Sequence, residues 1–333
     1  METREFIPNY YAYELEVDNQ KLTSAQKKHF FNCVNKIYRQ DSKFIYRGDK
    51  KDRLQPIYGI NGEELDSIFF TIGTKGGGLV GAAAAGMNWI DIAGAGDSEF
   101  RLIFRMLANL LGTEFPFGPT RTAMKRFRTD EDKLVRFFRE PMNEQVLVDT
   151  IKTIDRRQQV IVRDYYLALL HHISKSEYYP SSFLLSTTTS FSQAHKFAWK
   201  DENEGSANPL ILFGWVPKKY EGILSAPDTW ILKRKINMEA IGLPVYQKSF
   251  FYAQNEITLK GGLLPHYLLG YLHFDRGREI FKVNPALFQV SDLWDGKELP
   301  IDQSTFHQRI ENTLFGLYFT VDNGSGQYRQ YNV

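Results

Sequence analysis

Between positions 210 and 283 the chain keeps returning to one pattern, a short apolar run cut off by turn-forming residues. The runs at 210–216, 229–235, 245–253, 267–274 and 280–283 read as strands. Upstream the period changes, and apolar residues recur at helical spacing over 98–112 and from 143 to 174. Strands gathered in one half and helices in the middle, without regular strand–helix alternation, predict an α+β fold.

Composition sets the outer bounds. The 333 residues suffice for two domains or one elaborated domain. A net charge of +2 gives no nucleic-acid field over the whole surface, although it leaves room for a local basic patch. Aromatics make up 14%, which suits a β-rich core and ring-stacking sites equally well. Cys33 is the one cysteine, so neither an internal disulfide nor a cysteine zinc site can form. It falls inside an expected helix and reads as a small core or boundary residue. The opening Met1-Glu2-Thr3-Arg4-Glu5 lacks the apolar run of a secretory signal, and with the lone cysteine it implies a cytoplasmic setting without a membrane.

Residues 1–22 predict an arm or opening strand. Thr23 or Ser24 caps a helix that carries Phe30, Phe31, Val34 and Ile37 on one face. A short strand at 44–46 then ends in Arg47, with Gly48 turning the chain, and 68–72 reads as another strand. Gly76-Gly77-Gly78-Leu79-Val80-Gly81 matches the G-x-G-x-x-G dinucleotide fingerprint. A lone match is a weak signal, and it keeps a Rossmann-type oxidoreductase as a competing reading. Ser98 caps the 98–112 helix and Gly112 stops it.

A basic run follows: Arg121, Lys125, Arg126, Arg128, Lys133, Arg136 and Arg139, with Phe127, Phe137 and Phe138 between. Interleaved cations and aromatics can follow a nucleic-acid strand, although Asp130, Glu131, Asp132 and Glu140 dilute the run toward an ordinary solvated helix face. No H-E-x-x-H occurs, so no metal is expected. A strand at 183–185 leads into Ser186-Thr187-Thr188. Ser190 or Ser192 then caps a helix presenting Ala194, Phe197 and Ala198. Near the end, 306–314 predicts a short helix.

Three polar positions stand far apart in sequence. Arg47 ends a buried strand, where its planar fork suits phosphate oxygens. Ser186, Thr187 and Thr188 offer hydroxyls at a strand end. Gln254 and Glu256 lie two apart, which in extended chain puts amide and carboxylate on one face. Taken singly, each has a plain reading: a surface arginine, an ordinary strand–turn–helix junction, a solvated edge strand.

Taken in this order, the segments resemble the mono-ADP-ribosyltransferases of the R-S-E type, the clade of the clostridial C3-like and binary toxins. The middle motif is the most specific. The family pattern is a strand, Ser-Thr-Ser, several residues, then Ala-x-x-Phe-Ala. Here Ser186-Thr187-Thr188 leads to Ala194-His195-Lys196-Phe197-Ala198, with Thr in the third place. The likeness covers 43–50 and about 182–274. In the family the Arg and Ser-Thr-Ser segments are usually much closer together.

The resemblance implies a mixed β core of two small packed sheets interrupted by a largely helical insertion. The divisions would be 1–60 for the arm and first core strand, 61–175 for the insertion, and 176–333 for the β-rich catalytic core. It implies NAD as co-substrate. Arg47 would grip its phosphates and Gly48 would bond the nicotinamide amide. Ser186 would orient Glu256, Thr187 and Thr188 would hold the strand junction and nicotinamide pocket, and Phe197 would stack nearby or serve the core. Glu256 would bind the ribose and stabilise the oxocarbenium-like cation that forms as the nicotinamide bond breaks.

A Gln at 254 goes, in this family, with acceptors other than arginine: a nucleic-acid base or a protein Asn/Gln side chain. The basic run tilts the expectation slightly toward RNA. Phe251 or Tyr252 would pack on the acceptor. The likeness extends to toxins of toxin–antitoxin and phage-defence systems, so a neutralising partner protein is implied. An inactive binding module that keeps the fold is the remaining alternative.

Overall fold

The computed structural model describes residues 10–39, 42–52, 65–70, 95–112, 132–173, 184–199, 208–217, 223–225, 236–246, 254–260, 268–275 and 277–289. In chain order their elements are β1 (Glu14–Val17), β2 (Gln20–Lys21), α1 (Ser24–Arg39), β3 (Ser42–Lys50), α2 (Leu65–Phe69), α3 (Asp97–Gly112), α4 (Asp132–Arg139), α5 (Asn143–Lys152), α6 (Arg156–Ile173), β4 (Leu184–Thr188), α7 (Phe191–Ala198), β5 (Pro209–Pro217), β6 (Ile223–Ser225), β7 (Glu256–Lys260), β8 (Leu268–Asp275), β9 (Arg278–Val283) and α8 (Ala286–Gln289). The chain divides into two compact units. One is Met1–Asn88, Leu185–Ile223 and Ala253–Tyr328; the other is Trp89–Leu184, Leu224–Tyr252 and Arg329–Val333.

The first unit is built on a mixed sheet ordered β2-β1-β9-β8-β5-β3-β4-β7, with the short β6 last, where the chain passes out of the unit. Most neighbours are antiparallel, and β1 runs parallel to β9. Two packed sheets were expected; the described strands form one. The reason lies in β5, which pairs with β3 on one side and β8 on the other and so joins the two halves. Its side chains meet protein on both faces: Leu210, Ile211, Leu212, Phe213 and Trp215 are all buried. At the edge, Asp18 and Asn19 both take positive φ (49° and 60°), as a tight two-residue hairpin turn requires.

One sheet face carries an aromatic core. Tyr46, Phe213 and Phe281 meet Tyr10 and Phe30, with ring centroids 5.0–5.7 Å apart and mostly edge-to-face. Helix α1 supplies Phe30, Cys33, Val34 and Ile37, all buried and spaced to fall on one stripe. Burying a side chain such as Phe30 contributes about 1.5–3 kcal/mol. Thr23, not Ser24, caps this helix. Its hydroxyl accepts from Gln26 N (3.3 Å), and the Gln26 amide oxygen accepts from Thr23 N (2.9 Å).

Two strand expectations are corrected here. Residues 68–69 lie in helix α2, where Leu65 and Phe69 bury one face and Phe69 packs edge-on against Tyr271. Gly48 does not turn the chain: β3 continues to Lys50, and Gly48 pairs with Ile211.

The second unit's described part is mostly helical. Glu99, not Ser98, closes the start of α3, accepting from Gly96 N at 2.7 Å. The expected single helix over 143–174 is two, α5 and α6, because Asp155 and Gln158 form a capping box that starts a new helix. The expected strand at 245–253 has no regular structure at Val245 and Tyr246. Instead Tyr246 N donates to the Tyr165 hydroxyl (2.6 Å), and the Tyr166 hydroxyl donates to the Pro244 carbonyl (2.9 Å), tying this segment to α6. Residues 229–235, 306–314 and the Gly76–Gly81 stretch lie outside the described residues.

Candidate functional site

The site is assembled from three adjacent strands of the first unit, β3, β4 and β7. On β3, alternation divides the side chains. Tyr46 and Gly48 face α7, with Tyr46 against the Phe191 ring (5.8 Å). Arg47 and Asp49 point to the opposite face and pair there, Nη2 to Oδ2 at 3.3 Å, both buried. A buried guanidinium needs such partners, because its charge has left water. Asp49 also accepts from Lys50 N at 2.8 Å, which fixes the carboxylate that aims the arginine.

Ser186 on β4 links the other two strands. Its carbonyl accepts from Arg47 Nη1 at 2.7 Å. Its hydroxyl donates to Glu256 Oε1 at 2.7 Å. Arg47, Ser186 and Glu256, spread over more than two hundred positions, therefore meet through a single serine. The Glu256 carboxylate is buried, and Thr258 on the same strand donates to the same oxygen at 3.2 Å. Bonds of this kind fix a carboxylate's orientation.

The two threonines of the hydroxyl row act on backbone. Thr187 Oγ1 donates to the Ile257 carbonyl (2.6 Å) and Thr188 Oγ1 to the Gln254 carbonyl (2.7 Å). Thr189 N adds a bond to the Asn255 carbonyl (3.1 Å). These clamp the turn that leads into β7. Gln254 and Asn255 belong to that turn, and Asn255 takes φ 48°. Strand alternation therefore does not extend to Gln254: β7 begins at Glu256, and a left-handed residue precedes it.

Gly48 serves close packing. A Cβ there would lie 1.8 Å from the Ala194 carbonyl oxygen and 2.7 Å from Ala198 N, so α7 rests directly on the β3 backbone. Ser190, not Ser192, caps α7, accepting from Gln193 N. Phe197 lies on α7 and is 40% exposed, and that helix packs on the β3 face that carries Tyr46 and Gly48. Phe251 and Tyr252 lie outside the described residues.

Two residues escaped the sequence reading, Asp49 and Thr258. Both stand two positions from a recognised residue on the same strand, which is the signal that would have found them. The basic run divides. Arg139 donates Nε and Nη2 to the Leu111 carbonyl (2.9 and 2.8 Å), holding the end of α3, and Phe138 is fully buried. Lys133 and Arg136 are exposed, while Arg121, Lys125, Arg126, Phe127 and Arg128 lie outside the described residues. Among the described residues no His/Cys/Asp/Glu group is arranged to hold a metal, and no helix is long and apolar enough to cross a membrane.

A carboxylate that accepts from two hydroxyls, on a strand joined to an arginine through Ser186, can stabilise a cation developing on a substrate while the arginine addresses an anion. In comparisons with known proteins, the chain matches no family model, no curated protein and no solved structure.

Proposed function

We propose that the chain is an NAD-dependent mono-ADP-ribosyltransferase acting on a non-arginine acceptor. The observation that carries this reading is the double use of Ser186, whose hydroxyl holds Glu256 while its carbonyl holds Arg47. In the reaction the bond between nicotinamide nitrogen and ribose C1′ breaks, and its electron pair leaves with nicotinamide. C1′ becomes oxocarbenium-like, and the fixed Glu256 carboxylate stabilises that charge. The acceptor's nucleophilic atom then bonds C1′ and gives up its proton. Arg47, Gly48, Thr187 and Thr188 are assigned to the dinucleotide side, and Gln254 with Phe251 and Tyr252 to the acceptor side.

A neutral Gln254 amide can donate to and accept from a base edge or another amide and suits a guanidinium poorly. A nucleic-acid base, as in RNA, is the first-choice acceptor. A protein Asn or Gln side chain is the second, favoured by the commitment of Arg139 to a helix end and of Phe138 to the core. An intracellular toxin or defence effector with a neutralising partner would use this chemistry. The test is to incubate the protein with labelled NAD and, separately, cell RNA and cell protein. Transfer that disappears in Glu256→Gln supports the reading; transfer to polyarginine contradicts the acceptor assignment. NAD reduction without nicotinamide release would point to an oxidoreductase.

A further inference from the structure

We infer that Thr258 is a second positioning residue for Glu256, an inference that rests on the transferase reading for its catalytic meaning. Residues 256 and 258 alternate onto the same face of β7, so the hydroxyl and carboxylate are neighbours by strand geometry. Both are buried, and Thr258 Oγ1 lies 3.2 Å from Glu256 Oε1. Ser186 reaches that same oxygen from β4, at 2.7 Å. Donors on two strands hold that oxygen from two directions, which narrows the carboxylate's swing about its bond. Threonine suits this task because branching at Cβ stiffens χ1 and the strand fixes its backbone. A valine would fill the same space and suit the strand equally well. The hydroxyl is therefore the informative part of the residue.

The positioning role predicts a split that packing alone would not produce. Thr258→Val should lower kcat for nicotinamide release from NAD about ten-fold, the scale of one lost bond to a charged group. KM for NAD should change by no more than about two-fold, since the carboxylate acts mainly in the transition state. Thr258→Ser, which restores the hydroxyl, should recover most of the rate. A second readout does not depend on activity: the side-chain carboxyl 13C resonance of Glu256, assigned by its loss in Glu256→Gln. It should shift in Thr258→Val and return in Thr258→Ser. If the valine variant unfolds, Thr258→Ala takes its place with the same expectations. Unchanged kcat and an unmoved resonance would overturn the proposal, as would a serine variant as impaired as the valine. Should the wild type release no nicotinamide, the transferase reading falls, while the resonance still decides whether Thr258 holds the carboxylate.

Discussion

Glu256 and Asp49 are both buried carboxylates, and their surroundings give them different work. Glu256 accepts from the hydroxyls of Ser186 and Thr258, and the proposed transferase chemistry assigns its charge to the substrate. Glu256→Gln preserves shape and removes that charge, so kcat should fall about 100-fold or more, with NAD binding little altered. Steady-state rates alongside calorimetric NAD titration check both halves. Asp49 spends its charge on Arg47. Asp49→Asn would remove a counter-charge from a buried guanidinium, so unfolding free energy should drop by about 3 kcal/mol in urea titration.

At the scale of elements, the Gly48 contact with α7 decides how close a helix can come to the sheet. A methyl group there meets backbone rather than a side chain that can swing aside. Gly48→Ala should therefore displace α7 or lower Tm by several degrees, measurable by thermal unfolding, because packed backbone cannot yield cheaply. The serine–threonine row at the end of β4 works in the same way. Three consecutive residues bind carboxylate, carbonyl and carbonyl on the β7 segment, so they fix its register as well as its chemistry. The hydroxyls were legible as a motif in the sequence. Their division between side-chain and backbone partners was not, because it depends on β4 and β7 lying side by side while β5 and β6 intervene in the chain.

At the scale of the whole molecule, the first unit's polar sheet face gives folding a pH dependence. His273 is half-buried on β8, and burial, then Lys282 and Lys51, push its pKa below the ordinary 6.5. Asp275 and Glu16 oppose the shift. The unfolded chain therefore takes up a proton before the folded one does as pH falls. Stability contributed by neutral His273 is complete above about pH 6.5 and is lost as pH drops through that range toward the lowered folded-state value. His273→Gln should flatten this part of the stability–pH curve. Denaturant titrations of wild type and variant between about pH 8 and 5 check the difference, which isolates His273 from the titrating carboxylates.

Local pattern was enough for much of this protein. The spacing of Phe30, Cys33, Val34 and Ile37 established α1, and continuous apolar runs established β5 and β8, because helix and strand periods are properties of neighbouring residues. Local pattern also marked Arg47, the hydroxyl row and Glu256 as chemically eligible. Local pattern misread Gly48, whose need for space comes from a helix about 150 positions later, and it left open whether Gln254 stands in a strand or in a turn, which Asn255 and bonds from β4 set. It also could not distinguish one sheet from two, since that depends on which edges of β5 find partners. Tertiary structure alone decided that arginine, serine and glutamate would meet. Their contact is made by strand order across the sheet, and strand order is a matter of long-range pairing that no local period records.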